Sequence, residues 1–168
     1  MKDYLVGTIK TYCANAAITD SAAAGTALSS GYKTNSGVVG LKPDGTPRAS
    51  LTEAYQLMGK KTVLVATVEW PHATPAAFSA HAPSRYDYDD MAAQIINQKL
   101  DVNLPLGFIE SVQYGTSTNK EFTSRGYKVV STITDFEAVK QGDKLWGGRP
   151  WYSSDMYAPD EQPTLAEM

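Results

Sequence analysis

At 168 residues and a net charge of −3, the chain has about one domain's length, enough to bury about 70% of the surface its unfolded form exposes. Acids and bases are interspersed, and no run of Lys or Arg offers a nucleic-acid or anionic-lipid footprint, which sets both partner classes aside. No window reaches the roughly 18 apolar residues of a membrane span, MKDYLVGTIK lacks the apolar centre of a signal peptide, and the lone Cys13 rules out an internal disulfide or a paired-cysteine zinc or redox motif.

In chain order, the small residues SAAAGTALSS predict a helix from Ser21 to Ser30, with Asp20 or Ser21 as its cap and Gly31 as its left-handed end. Gly25 costs about 1 kcal/mol inside such a helix relative to Ala, which predicts a face pressed closely against another element. SGVVGL at 36–41 is a short apolar run, and KPDGTP supplies tight-turn chemistry through Pro43, Asp44 and Gly45. Ser50 and Glu53 have capping-box spacing before LTEAYQLM, with Gly59 at the far end. KTVLVATV at 61–68 is nearly continuously apolar and β-branched, the pattern of a buried, parallel strand.

Beyond it, Thr74 and Pro75 fit an N-cap and first helical position, with Pro83 limiting that helix. Met91, Ala92, Ile95 and Ile96 give YDDMAAQIINQK an amphipathic helical period, leading to a strand near Val102. GYKVVSTI at 126–133 reads as a strand, Thr134 and Glu137 as a capping box for a helix through Phe136 and Val139, and KLWG at 144–147 as a last strand. Alternating helices and strands make the class α/β with a mostly parallel sheet and no internal domain boundary. Thr164 and Glu167 in PTLAEM have capping-box spacing at the very end, so the expectation is a piece of a longer chain.

Three constellations could carry chemistry. Ser21 after Asp20 is either a plain helix start or a hydroxyl at the positive end of a helix macrodipole, where an anion is stabilised. His72 and Thr74 are either a loop histidine and a helix cap or two ligands for one hard cation. Arg85 is either a surface arginine or a bidentate clamp on phosphate.

Taken together, TDSAAAGTALSSGYKT, SLTEAYQLMGKKTVLVATV and HATPAAFSAHAPSR, in that order and spacing, resemble the alkaline phosphatase family, as do GYKVVSTITDFEAV and PTLAEM. The resemblance implies a three-layer α/β fold, incomplete in this chain. It implies that Ser21 is the nucleophile that becomes phosphoserine and also meets zinc, which lowers the hydroxyl's pKa. Asp20 would orient Arg85, Arg85 and the Ser21 backbone would hold the phosphate, and Thr74 and His72 would contact magnesium.

The complete family site holds two Zn2+ and one Mg2+, with zinc ligands largely upstream of the nucleophile and downstream of PTLAEM. This chain has only His72 and His81 as histidines, so the zinc ligands are largely absent from it. The implied activity is hydrolysis of phosphate monoesters, in a periplasmic, extracellular or cell-surface protein that forms a homodimer. Two alternatives stand beside it. The 168 residues alone could be an inactive fragment, or Ser21 could act with His72 or His81 as a serine esterase. Gly-x-Ser-x-Gly would need glycines where Thr19 and Ala23 stand.

Overall fold

The computed structural model describes residues 6–66, 68–105 and 115–147. Asp20 starts the first helix, α1 (Ser21–Ser30): its backbone is extended and its carboxylate accepts the Ala23 N–H at 3.0 Å. That bond satisfies one of the first-turn amides that a helix leaves without an internal partner. Gly31 ends α1 at φ 76°, donating its N–H to the Ala27 carbonyl, a turn that a side chain would strain. The reciprocal capping box of Ser50 and Glu53 opens α2 (Leu51–Leu57) as expected.

The remaining elements are β1 (Val63–Ala66), α3 (Ala73–Ala76), α4 (Tyr88–Gln98), β2 (Val102–Pro105), α5 (Gly115–Ser124), β3 (Lys128–Val130), α6 (Ile133–Glu137) and β4 (Leu145–Gly147). The four strands form one parallel sheet in the order β1-β2-β4-β3. Because side chains alternate along a strand, the pairing of Val102 with Leu145 and of Val65 with Leu104 puts these residues on one face. There they join Val130, Phe136 and Val139 in a small apolar cluster.

Trp146 points to the other face and enters the larger core, with residues of α1, α3, α4 and α5. Its ring stacks on Phe122 (3.9 Å, 10°) and meets Trp70 edge-on (5.3 Å, 88°), and its indole N–H donates to Asn119 at 3.0 Å. Apolar layers therefore cover both faces of the sheet, the three-layer α/β architecture. From α4, Met91, Ala92, Ile95 and Ile96 are buried, as their helical period predicts.

Several expectations need correction. β1 is a sheet-edge strand rather than a buried one: it pairs with β2 alone among the described residues, and Val63 is 61% exposed. α3 begins at Ala73 with His72 as its cap residue, so Pro75 falls inside the first turn instead of opening it. Thr132 with Asp135, not Thr134 with Glu137, forms the capping box of α6; two Thr-x-x-acid frames overlap there, and the short β3 ends early enough for the first to be used. The polar helix α5, carrying GTSTNKEFTS, has no expectation to match. The Thr164–Glu167 spacing lies outside the described residues.

Gly25 is where α1 meets α3. A Cβ added there would stand 2.8 Å from the Ala77 Cβ and 3.7 Å from the Thr74 carbonyl oxygen, which is the close approach its presence in a helix predicts. Gly25→Ala sets a helix-propensity gain of about 1 kcal/mol against overpacking that costs typically about 1–3 kcal/mol. The expected outcome is a lower urea midpoint with an unchanged slope. An equal or higher midpoint would show that the two helices can part without cost.

Candidate functional site

Asp20 and Arg85, far apart in the chain, meet at the start of α1. The Arg85 guanidinium donates to the Asp20 carboxylate at 3.0 Å, while the other oxygen of that carboxylate takes the Ala23 N–H. Both side chains are largely buried, at 19% and 23% exposure, so water screens the pair less than it would a surface bridge. Arg85 is fixed at its backbone too, its N–H donating to the Gly37 carbonyl at 2.7 Å. Its Nε is buried and meets no acceptor among the described residues.

Burial pushes the Asp20 carboxyl up. Hydrogen bonds from the Ala23 and Gly37 N–H groups and from Arg85, with the guanidinium charge, outweigh that and hold it below its ordinary value. Asp20 thus does two jobs, capping the helix and carrying the arginine. Ser21, the first residue of α1, is left without a capping role, and its half-buried hydroxyl meets no hydrogen-bond partner among the described residues. It sits in the first turn, where amides and macrodipole favour an anion.

Ser21 and Gly25 are one helical turn apart and share a face of α1. Gly25 lies against α3, so the helix that follows His72 packs on the face that bears Ser21. His72 makes no side-chain capping bond, and its buried Nδ1 meets no partner among the described residues. Thr74 presents its carbonyl towards Gly25 while the residue as a whole is exposed. Ser21, Asp20 and Arg85 are therefore gathered directly, whereas His72 and Thr74 join them through helix packing. Among the described residues, no three His, Cys, Asp or Glu side chains stand together as a metal site.

The run at 36–41, read from sequence as merely apolar, forms a strap across the site. Gly37 holds Arg85, Val39 pairs with Ala82 through two backbone bonds of 3.0 and 2.8 Å, and the Gly40 N–H donates to Thr26 of α1 at 2.8 Å. At Gly40, with φ 64°, a Cβ would overlap the Ala80 carbonyl oxygen and stand 2.5 Å from the His81 Nδ1. The available signal was the glycine pair itself, since two glycines three apart beside a helix permit close backbone approach. His81 has both ring nitrogens engaged, with Gly40 and with Glu53, so it is not free to serve Ser21 as a general base.

Because the folded Asp20 carboxyl lies below its ordinary 3.8, its contribution to stability is present above that value and is lost as pH falls through the folded-state titration. Asp20→Asn keeps a good cap and removes the charge. The wild type's advantage over this variant in urea midpoint should hold well above pH 3.8 and shrink as pH falls below it. An advantage independent of pH would contradict the ion pair.

The alkaline phosphatase family model matches residues 1–106. Alkaline phosphatase 4 of Bacillus subtilis is 41% identical over 121 residues, covering 68% of this chain and 26% of that protein. The crystal structure of Thermus thermophilus alkaline phosphatase superposes with a TM-score of 0.83 at 30% identity, covering 96% of this chain and 36% of that one. A mutant of the alkaline phosphatase of the Antarctic bacterium TAB5, with Mg bound in its M3 site, gives a TM-score of 0.74 at 30% identity over 83% of this chain and 41% of that one. The chain thus spans roughly a third of the length of these proteins. A match across more than half of its residues, onto the same three-layer fold, shows that it belongs to the alkaline phosphatase family.

Proposed function

We propose that residues 1–168 form the nucleophile-bearing part of one phosphatase domain that hydrolyses phosphate monoesters. The observation that carries this reading is the arginine held by Asp20, the residue before Ser21, whose hydroxyl makes no hydrogen bond among the described residues. A phosphoryl group at the start of α1 would meet the first-turn amides and the unused donors of Arg85, including the buried Nε. The Ser21 oxygen would attack phosphorus, the bond to the ester oxygen would break, and the alcohol would leave. Water would then cleave the phosphoserine, returning the hydroxyl and releasing phosphate.

Arg85 acts by charge and geometry, since its planar donors match the equatorial oxygens where negative charge redistributes. Asp20 keeps the guanidinium aimed and offsets its charge when no phosphate is present. For magnesium, His72, whose Nδ1 meets no partner among the described residues, and the exposed Thr74 two residues on are the candidate contacts, the Thr74 hydroxyl being the donor type a hard cation prefers. A hard cation bound there would offset charge near the phosphoryl group. The described residues do not assemble a donor set for zinc. A periplasmic, extracellular or cell-surface location and a homodimeric state belong to the same proposal.

The test is kinetic, using p-nitrophenyl phosphate with zinc and magnesium supplied, on the 168 residues and on any longer chain that contains them. Ser21→Ala should lower kcat on the order of a thousandfold or more. Arg85→Lys, which keeps charge but loses the planar donors, should raise KM about tenfold. Hydrolysis that survives Ser21→Ala would overturn the assignment, and hydrolysis in neither chain would leave the residues without this activity.

A further inference from the structure

We propose that His81 is a positioning residue for Arg85, its imidazole donating from both ring nitrogens to pin the strap that grips the arginine. This rests on reading Arg85 as the phosphate-holding group.

The His81 Nδ1 lies 2.8 Å from the Gly40 carbonyl oxygen, and Nε2 lies 3.0 Å from a Glu53 carboxylate oxygen. Neither partner has a proton to offer: one is a carbonyl, and the other is a carboxylate whose second oxygen already accepts the Ser50 N–H at 2.7 Å. Only a ring protonated at both nitrogens can donate to both, whereas a neutral ring turns a lone pair on one of them. The backbone under the ring is fixed, because the Gln94 side chain of α4 accepts the His81 N–H and donates to its carbonyl, each at 2.8 Å.

The groups facing the imidazole come from three elements. α2 supplies Glu53, α4 supplies the uncharged Gln94, and the strap supplies the Gly40 carbonyl, which also takes the Arg48 N–H at 3.0 Å. Burial pushes the Glu53 carboxyl up, but the bonds from His81 and Ser50 prevail and keep it below its ordinary value. Glu53 is therefore a carboxylate near neutral pH, an acceptor for the ring N–H.

From Gly40 the strap runs three residues back to Gly37, whose carbonyl takes the Arg85 N–H and whose N–H acts on Asp20. The same Gly40 is tied to Thr26 in the middle of α1. Losing the His81 bond at Gly40 would loosen the strap between α1 and Arg85, and with it the aim of the guanidinium.

Amide hydrogen exchange followed by NMR tests this on the chain as it stands. In His81→Leu, the protection factors of Gly40 and Arg85 should fall about tenfold, while those of Ile95 and Ile96 in the α4 core stay unchanged. His81→Asn, whose amide can donate to the Gly40 carbonyl from the place of Nδ1, should keep that protection, whereas His81→Gln, whose amide reaches only the place of Nε2, should lose it. With hydrolysis established, His81→Leu should also weaken inhibition by inorganic phosphate about tenfold; a purely structural role would reduce the amount of active protein and leave that constant unmoved.

Wild-type protection at Gly40 and Arg85 in His81→Leu, or an unmoved phosphate constant, would overturn the proposal. If His81→Leu does not fold, the Asn and Gln variants decide, and equal protection of Gly40 and Arg85 in the two would overturn it. The exchange pattern without hydrolysis in the wild type would remove the phosphatase reading and leave the role of His81 in the strap.

Discussion

The bond between Arg85 and Asp20 is the constraint around which the candidate site is built. It joins the residue that starts α1 to one that follows α3, and it does so with a carboxylate already committed to capping the helix. A partly buried guanidinium and carboxylate are costly to separate, because whichever remains keeps a charge without a partner. The pair therefore sets where α1 may begin relative to the segment after α3. Since Ser21 is the next residue after Asp20, it sets the position of the serine as well.

The rest of the arrangement serves that geometry. Gly25 lets α1 lie close enough to α3 for the segment beyond it to reach back, and small residues line the contact: Ala22, Ala73, Ala76 and Ala77 are all buried. The strap at 37–40 then crosses from Thr26 to Arg85, fixing by backbone bonds what the ion pair fixes by charge. Beneath, Trp70 and Trp146 lock the segment before α3 onto the sheet. A close-packed support of this kind is what allows a side chain to be held to within a fraction of an ångström.

Legibility in the sequence followed the range of the forces involved. α1, the capping box of α2 and the buried face of α4 rest on contacts within a turn or two, so residue types and spacing reveal them. The exposure of β1 depends on which strand lies beside it, and strand order is set by the whole sheet rather than by VLVA. The frame of the α6 cap turned on whether β3 ended two residues sooner or later, which no local preference decides. At the site, Asp20, Ser21, His72, Thr74 and Arg85 stood out by residue type and spacing, and the resemblance supplied a role for each. The geometry brings the first two together with Arg85, while His72 and Thr74 approach through the α1–α3 packing. The strap's partners were illegible because its bonds join Gly37 and Gly40 to residues distant in the chain, and the glycine pair in GVVG signals only a close approach, not to what.

The central claim is that the start of α1, with Arg85 held over it, hands a phosphoryl group to Ser21. Its most direct test is to incubate the protein with a phosphate monoester and the two metals, quench in acid, and locate any covalent phosphate by mass spectrometry of the peptides. The account predicts a single phosphorylated residue, Ser21, with the adduct strongly reduced when Arg85 is replaced. Phosphate on another residue, or ester hydrolysis with an adduct at Ser21 indifferent to Arg85, would contradict it.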